Sequence, residues 1–106
     1  MSLSYAHEKF SLAIDGMATS PASIQLRIAD AYISQLIRLN EQDLPEDIRT
    51  DFRLMREQLT SRSPEGDEGS VMATVNKMSE EEATAIARKI SRMHDTIAAA
   101  VMAETD

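Results

Sequence analysis

The chain has no cysteine and no tryptophan, and in 106 residues it has only three glycines, three prolines and four aromatic side chains. Without cysteine there is no disulfide, no thiolate nucleophile and no cysteine-held zinc or iron–sulfur site, which suits a reducing compartment and gives the cytoplasm as the expected location. Tyr5, Phe10, Tyr32 and Phe52 are too few to fill an interior, so the core must be aliphatic, drawn from Leu, Ile, Ala and Met. Such residues suit helices, and sparse glycine and proline mark a globular chain and not a disordered one. No run approaches the roughly 20 apolar residues of a membrane span, and the N-terminus lacks the basic-then-apolar order of a signal peptide. Met1, Ser2 and Leu3 read as a leader ahead of a start near Ser4 and carry no functional weight here.

Positive charge is also in short supply. Eighteen acids against eleven bases give a formal charge of −7, which repels phosphate backbones, so no nucleic acid partner is expected. Acids exceed bases in every third of the chain, leaving no basic tail or patch. Hydrophobic residues make up 42% of the whole and charged residues 27%, the balance of a globular domain, and residues 1–106 read as one.

Apolar spacing then sets the fold. Leu3, Ala6, Phe10, Ala13 and Met17 recur every three or four residues with Ile14 beside them, predicting a helix from about Ser4 to Ala18. Ser20 followed by Pro21 predicts the start of a second helix, reaching about Leu39. Its polar residues Ser23, Arg27, Asp30, Ser34 and Arg38 gather on a narrow arc, while the apolar remainder exceeds what one packing partner covers, so this helix is expected at the centre. Asp43, Pro45 and Glu46 predict a third start, with Asp43 and Glu46 at capping-box spacing. In that helix Ile48, Phe52, Met55 and Leu59 face inward, and Arg49, Arg53, Arg56 and Glu57 face water.

The run SRSPEGDEGS, residues 61–70, reads as a mobile acidic loop. A short helix over Val71 to Met78 follows. Ser79 and Glu82 form a capping box for a last helix whose inner line is Ala83, Ile86, Ile90, Met93, Ile97 and Val101. The expected fold is an all-α antiparallel bundle of four main helices plus one short helix.

Chemistry-bearing residues are few. His94 falls in the apolar arc of the last helix and is expected to be mostly buried, and His7 flanks the corresponding arc of the first, so the two are the candidate site for a metal or small molecule. Neither has the glutamate three residues before it that di-iron bundles use, and no HExxH pattern is present. Glu80, Glu81 and Glu82 are better explained by the positive end of a helix dipole than by a cation. Glu65, Asp67 and Glu68 lack the alternation of a calcium loop. Glu80, Glu81 and Glu82 would also open the recognition helix of any helix-turn-helix, where they would repel DNA. Met17, Met55, Met78 and Met93 lie on core faces and act as gap fillers.

With no catalytic set visible and no cofactor expected, the favoured role is a non-enzymatic interaction or oligomerisation module whose partner is a second copy or another protein. A minor stripe of Tyr5, Leu12 and Gly16 on the first helix, extended by Ile24 and Ala31 on the second, is the candidate contact surface. The alternatives are the site near His7 and His94, and an acidic regulator of a basic partner.

Overall fold

A computed structural model describes residues 3–64 and 69–105. The fold is an all-α helical bundle measuring 48 × 26 × 21 Å. Helix α1 spans Leu3–Thr19, α2 Ile24–Ala31, α3 Arg49–Leu59, α4 Ser70–Asn76 and α5 Glu80–Thr105. There is no strand among the described residues. The acidic cluster Glu65, Asp67 and Glu68 lies outside them.

The apolar spacing of α1 is realised as expected: Ala6, Phe10, Ala13 and Met17 are buried, with Leu3 and Ile14 packed at the margin. They join Phe52, Met55 and Leu59 of α3 and Ala83, Ile86, Ile90, Met93 and Ile97 of α5 in one continuous core. Phe10 and Phe52 meet in a tilted pair, with ring centroids 6.2 Å apart. The second helix is central in that α2 packs against α1, α4 and α5.

Its start lies later than Ser20 predicts. The Ser20 amide donates to the Gly16 carbonyl at 3.1 Å and so closes the last turn of α1; the Ser20 hydroxyl is taken by the Ala22 amide at 3.2 Å. Ser20 is committed to ending one helix and cannot open the next. Ser23 caps instead, its hydroxyl accepting from the Leu26 amide at 3.2 Å.

Past Ala31 the helix widens into a π-helical turn over Tyr32–Leu36, in which the Ile37 amide donates to the Tyr32 carbonyl at 2.8 Å. Tyr32, Leu36 and Leu39, at spacings of four and three, are all buried. Two short 3₁₀ turns, Glu41–Asp43 and Glu46–Ile48, lead into α3. Asp43 therefore does not pair with Glu46. Its carboxylate accepts from the Asn40 amide at 3.0 Å, one connection earlier than expected.

Arg56 corrects the sequence reading most clearly. Instead of facing water, its guanidinium lies over the Phe52 ring at 4.7 Å and donates to the Tyr32 hydroxyl at 2.9 Å. It also donates to the carbonyls of Leu36, Ile37 and Leu39 at 3.4, 3.2 and 2.8 Å. A cation at the end of a helix satisfies carbonyls that have no amide partner and meets the negative end of the dipole. Arg27 does the same for the end of α1, donating to Met17 and Ala22 carbonyls, and Arg49 donates to the Leu44 carbonyl at 3.0 Å. These three arginines serve backbone oxygens at helix ends and connections, in a chain with carboxylates to spare.

The Ser79 and Glu82 box forms as predicted: the Ser79 amide donates to the Glu82 carboxylate at 2.9 Å, and the Glu82 amide donates to the Ser79 hydroxyl at 3.0 Å. The Ser79 backbone amide and, after it, the Ser79 side chain hold the Glu82 carboxyl below the usual glutamate range, with the Arg62 charge adding a little. Thr74, the buried polar residue of α4, accepts from the Arg62 amide at 3.0 Å and donates to the Ser70 carbonyl at 2.7 Å, pinning the chain after α3 onto α4.

Candidate functional sites

Packing of α1 on α5 brings the two histidines together. Their rings stack with centroids 5.4 Å apart and planes 24° apart. The Ser11 hydroxyl, one turn along α1 from His7, is hydrogen-bonded to His94 Nε2 at 3.1 Å. His94 Nδ1 faces the Asp95 carboxylate at 3.8 Å, and the His94 side chain is 24% exposed, less enclosed than expected. Sequence reading missed Ser11, although its spacing of four from His7 puts it on the same side of the helix.

Serine, histidine and aspartate in this order resemble a nucleophilic relay, but the surroundings are unsuited to one. Ser11 sits in the middle of α1, where backbone amides are already bonded within the helix and cannot form an oxyanion hole. Asp95 is 80% exposed on its side chain and beyond hydrogen-bonding distance, so it does not orient the imidazole. Metal chelation fares no better. Imidazole lone pairs lie in the ring planes, and two nearly parallel stacked rings do not aim them at a common point. Among the described residues no three His, Cys, Asp or Glu side chains are grouped to hold a metal ion. The cluster joins α1 to α5 by ring contact and one hydrogen bond.

The second candidate is the outer apolar surface. Tyr5 is 39% and Leu12 45% exposed, and Gly16 has open space where a side chain would project. At 100° per residue these three lie on the flank of α1 away from His7 and Ser11, the residues that meet α5. Ile24 is half-buried against the core. Ala31 is 4% exposed and belongs to the core, so it does not extend the stripe; the arc it occupies is the one turned toward Ile28 and Tyr32.

Three residues the sequence reading left in helix 2's apolar surplus take its place. Leu26, Ile33 and Ile37 are 42%, 43% and 45% exposed, and spacings of seven and four keep them along one side of the helix. The signal was present as an excess of apolar residues over the available packing partners, and at 100° per residue these three border the polar arc of that helix. No helix among the described residues is long and apolar enough to cross a membrane. Compared with models of protein families, with curated proteins and with solved structures, the chain matches none of them.

Proposed function

We propose that this chain is a non-enzymatic helical interaction module, acting first as a homodimer through the apolar flanks of α1 and the second helix, in a reducing compartment such as the cytoplasm. The supporting observation is the set Tyr5, Leu12, Leu26, Ile33 and Ile37, each 39–45% exposed on helices that pack directly on each other; the other exposed large apolar side chains among the described residues, Leu54 and Met102, lie on α3 and α5. Isolated surface apolar residues are ordinary; several large ones on two adjoining helices are the pattern that marks association. A stable contact removes about 800 Å² from each partner, a modest share of the 6309 Å² surface of the chain.

Sedimentation equilibrium on the wild type and on Leu12→Glu tests this. The wild type is expected to dimerise in the micromolar range, and the variant to remain a monomer with unchanged helical circular dichroism, because the new charge enters the contact and leaves the core untouched. A wild-type chain that stays monomeric across that range refutes the proposal.

A further inference from the structure

Between the N-terminal end of α3 and the middle of α5 lies a cleft of about 250 Å³ lined by Ile48, Asp51, Lys89, Arg92, Met93 and Thr96. Its floor is apolar, since Ile48 and Met93 are 6% and 3% exposed core residues that show one edge to it. Its α5 wall carries two cations at a spacing of three, on one face of the helix. Neither Lys89 nor Arg92 makes a hydrogen bond or ion pair among the described residues, although the chain carries a formal charge of −7. Four arginines elsewhere are engaged, Arg27, Arg49 and Arg56 with carbonyls and Arg53 with Glu41 at 3.0 Å; what sets Lys89 and Arg92 apart is that both line one cleft. Asp51 stands on the opposite wall and is likewise unpaired among the described residues.

We infer that this cleft binds a small organic monocarboxylate, with the carboxylate between Lys89 and Arg92 and the apolar body against Ile48 and Met93. Two cations and one carboxylate leave a local charge of +1, which a single negative charge neutralises and a phosphate dianion overshoots. The volume is below the roughly 300–1,000 Å³ of pockets for drug-sized ligands, so the occupant is smaller than a nucleotide. Arginine supplies a bidentate fork for the carboxylate and lysine a point charge beside it. Asp51 sets the selectivity: it repels a second acid group and accepts from a hydroxyl or amide on the ligand. This ligand site is separate from the apolar flanks of α1 and the second helix.

The test is a titration of the ¹⁵N-labelled full chain with hexanoate, hexanamide and inorganic phosphate, followed by NMR. Hexanoate is expected to give saturable shifts confined to amides near residues 48–51 and 89–96, hexanamide none, and phosphate weak shifts without saturation. Lys89→Gln with Arg92→Gln, both exposed and so compatible with folding, weakens hexanoate binding at least tenfold. Asp51→Asn tightens it about two- to fivefold by removing a like charge at the rim. Equal response to hexanamide, equal saturation by phosphate, shifts centred elsewhere, or a double variant that binds like wild type would each overturn the inference.

Discussion

Replacing Arg56 with methionine keeps the packing of the side-chain stem and removes its charged head, so it isolates what the guanidinium contributes at the end of the second helix. Three losses follow. The Tyr32 hydroxyl, on a residue 2% exposed, is deprived of the donor at 2.9 Å, which costs about 1–2 kcal/mol for a buried polar group. The Leu39 carbonyl, on a residue 1% exposed, loses a charged donor at 2.8 Å, about 1.5 kcal/mol, while the carbonyl of exposed Ile37 rehydrates at little cost. The cation over the Phe52 ring at 4.7 Å adds about 0.5–1 kcal/mol. The total is about 3–4 kcal/mol, a large part of the 5–15 kcal/mol that holds a typical domain. Urea unfolding followed at 222 nm should show this as a lower midpoint with an unchanged slope. Tyr32→Phe alone should cost about 1 kcal/mol, and the double variant should fall short of additivity by about the same amount. A loss below about 1 kcal/mol for Arg56→Met, or strict additivity with Tyr32→Phe, would refute the assignment of Arg56 as the cap of this helix.

Ser79→Ala removes the cap of α5 and should cost about 1 kcal/mol, read as a shift in urea midpoint. Because the folded Glu82 carboxyl sits below its unfolded value, its contribution is present above the unfolded pKa and fades as pH falls through the folded one; the difference in midpoint between wild type and Glu82→Gln should therefore shrink on acidification and vanish in strong acid. Phe52→Ala should cost about 3–5 kcal/mol, and Leu54→Ala, at a position 50% exposed, well under 1 kcal/mol, in the same assay; similar losses at both would contradict the placement of the α3 stripe. Gly16→Ala meets nothing within 4 Å and removes glycine from a helix, so it should raise monomer stability by about 0.5–1 kcal/mol while weakening self-association. Thermal melts at low and high protein concentration separate the two effects.

Long-range structure was legible wherever burial alone decided it. The three-and-four spacing of α1, the inner lines of α3 and α5, and the Ser79–Glu82 box all follow from residue type and period, and the structure places Phe10, Phe52 and Ile90 in the core as that period requires. The errors fall where two local partners competed for one group. Ser20 and Ser23 are both good caps, and only the Ser20 amide's bond to Gly16 assigns one to each helix. Asp43 had amides on two sides and took the earlier one. Arg56 looked like a surface residue because its spacing is polar; its partners come from a helix end about 20 residues earlier, which no local pattern records. The π turn at Tyr32–Leu36 left no mark in the sequence YISQL, and burial around it still follows the helical period, with Leu36 inward and Ile33 and Ile37 outward. At the candidate sites, the proximity of His7 and His94 follows from their arcs, whereas Ala31 was misplaced because an apolar surplus does not say which of its members is left over.

The most direct measurement of the proposed self-association is an isotope-filtered NOE experiment on an equal mixture of ¹³C-methyl-labelled and unlabelled chain. Contacts between copies are expected from the methyl groups of Leu12, Leu26, Ile33 and Ile37, the exposed apolar residues of α1 and the second helix, and none from Leu54 or Met102. Absence of any intermolecular signal at millimolar concentration, or signals confined to Leu54 and Met102, would contradict the account.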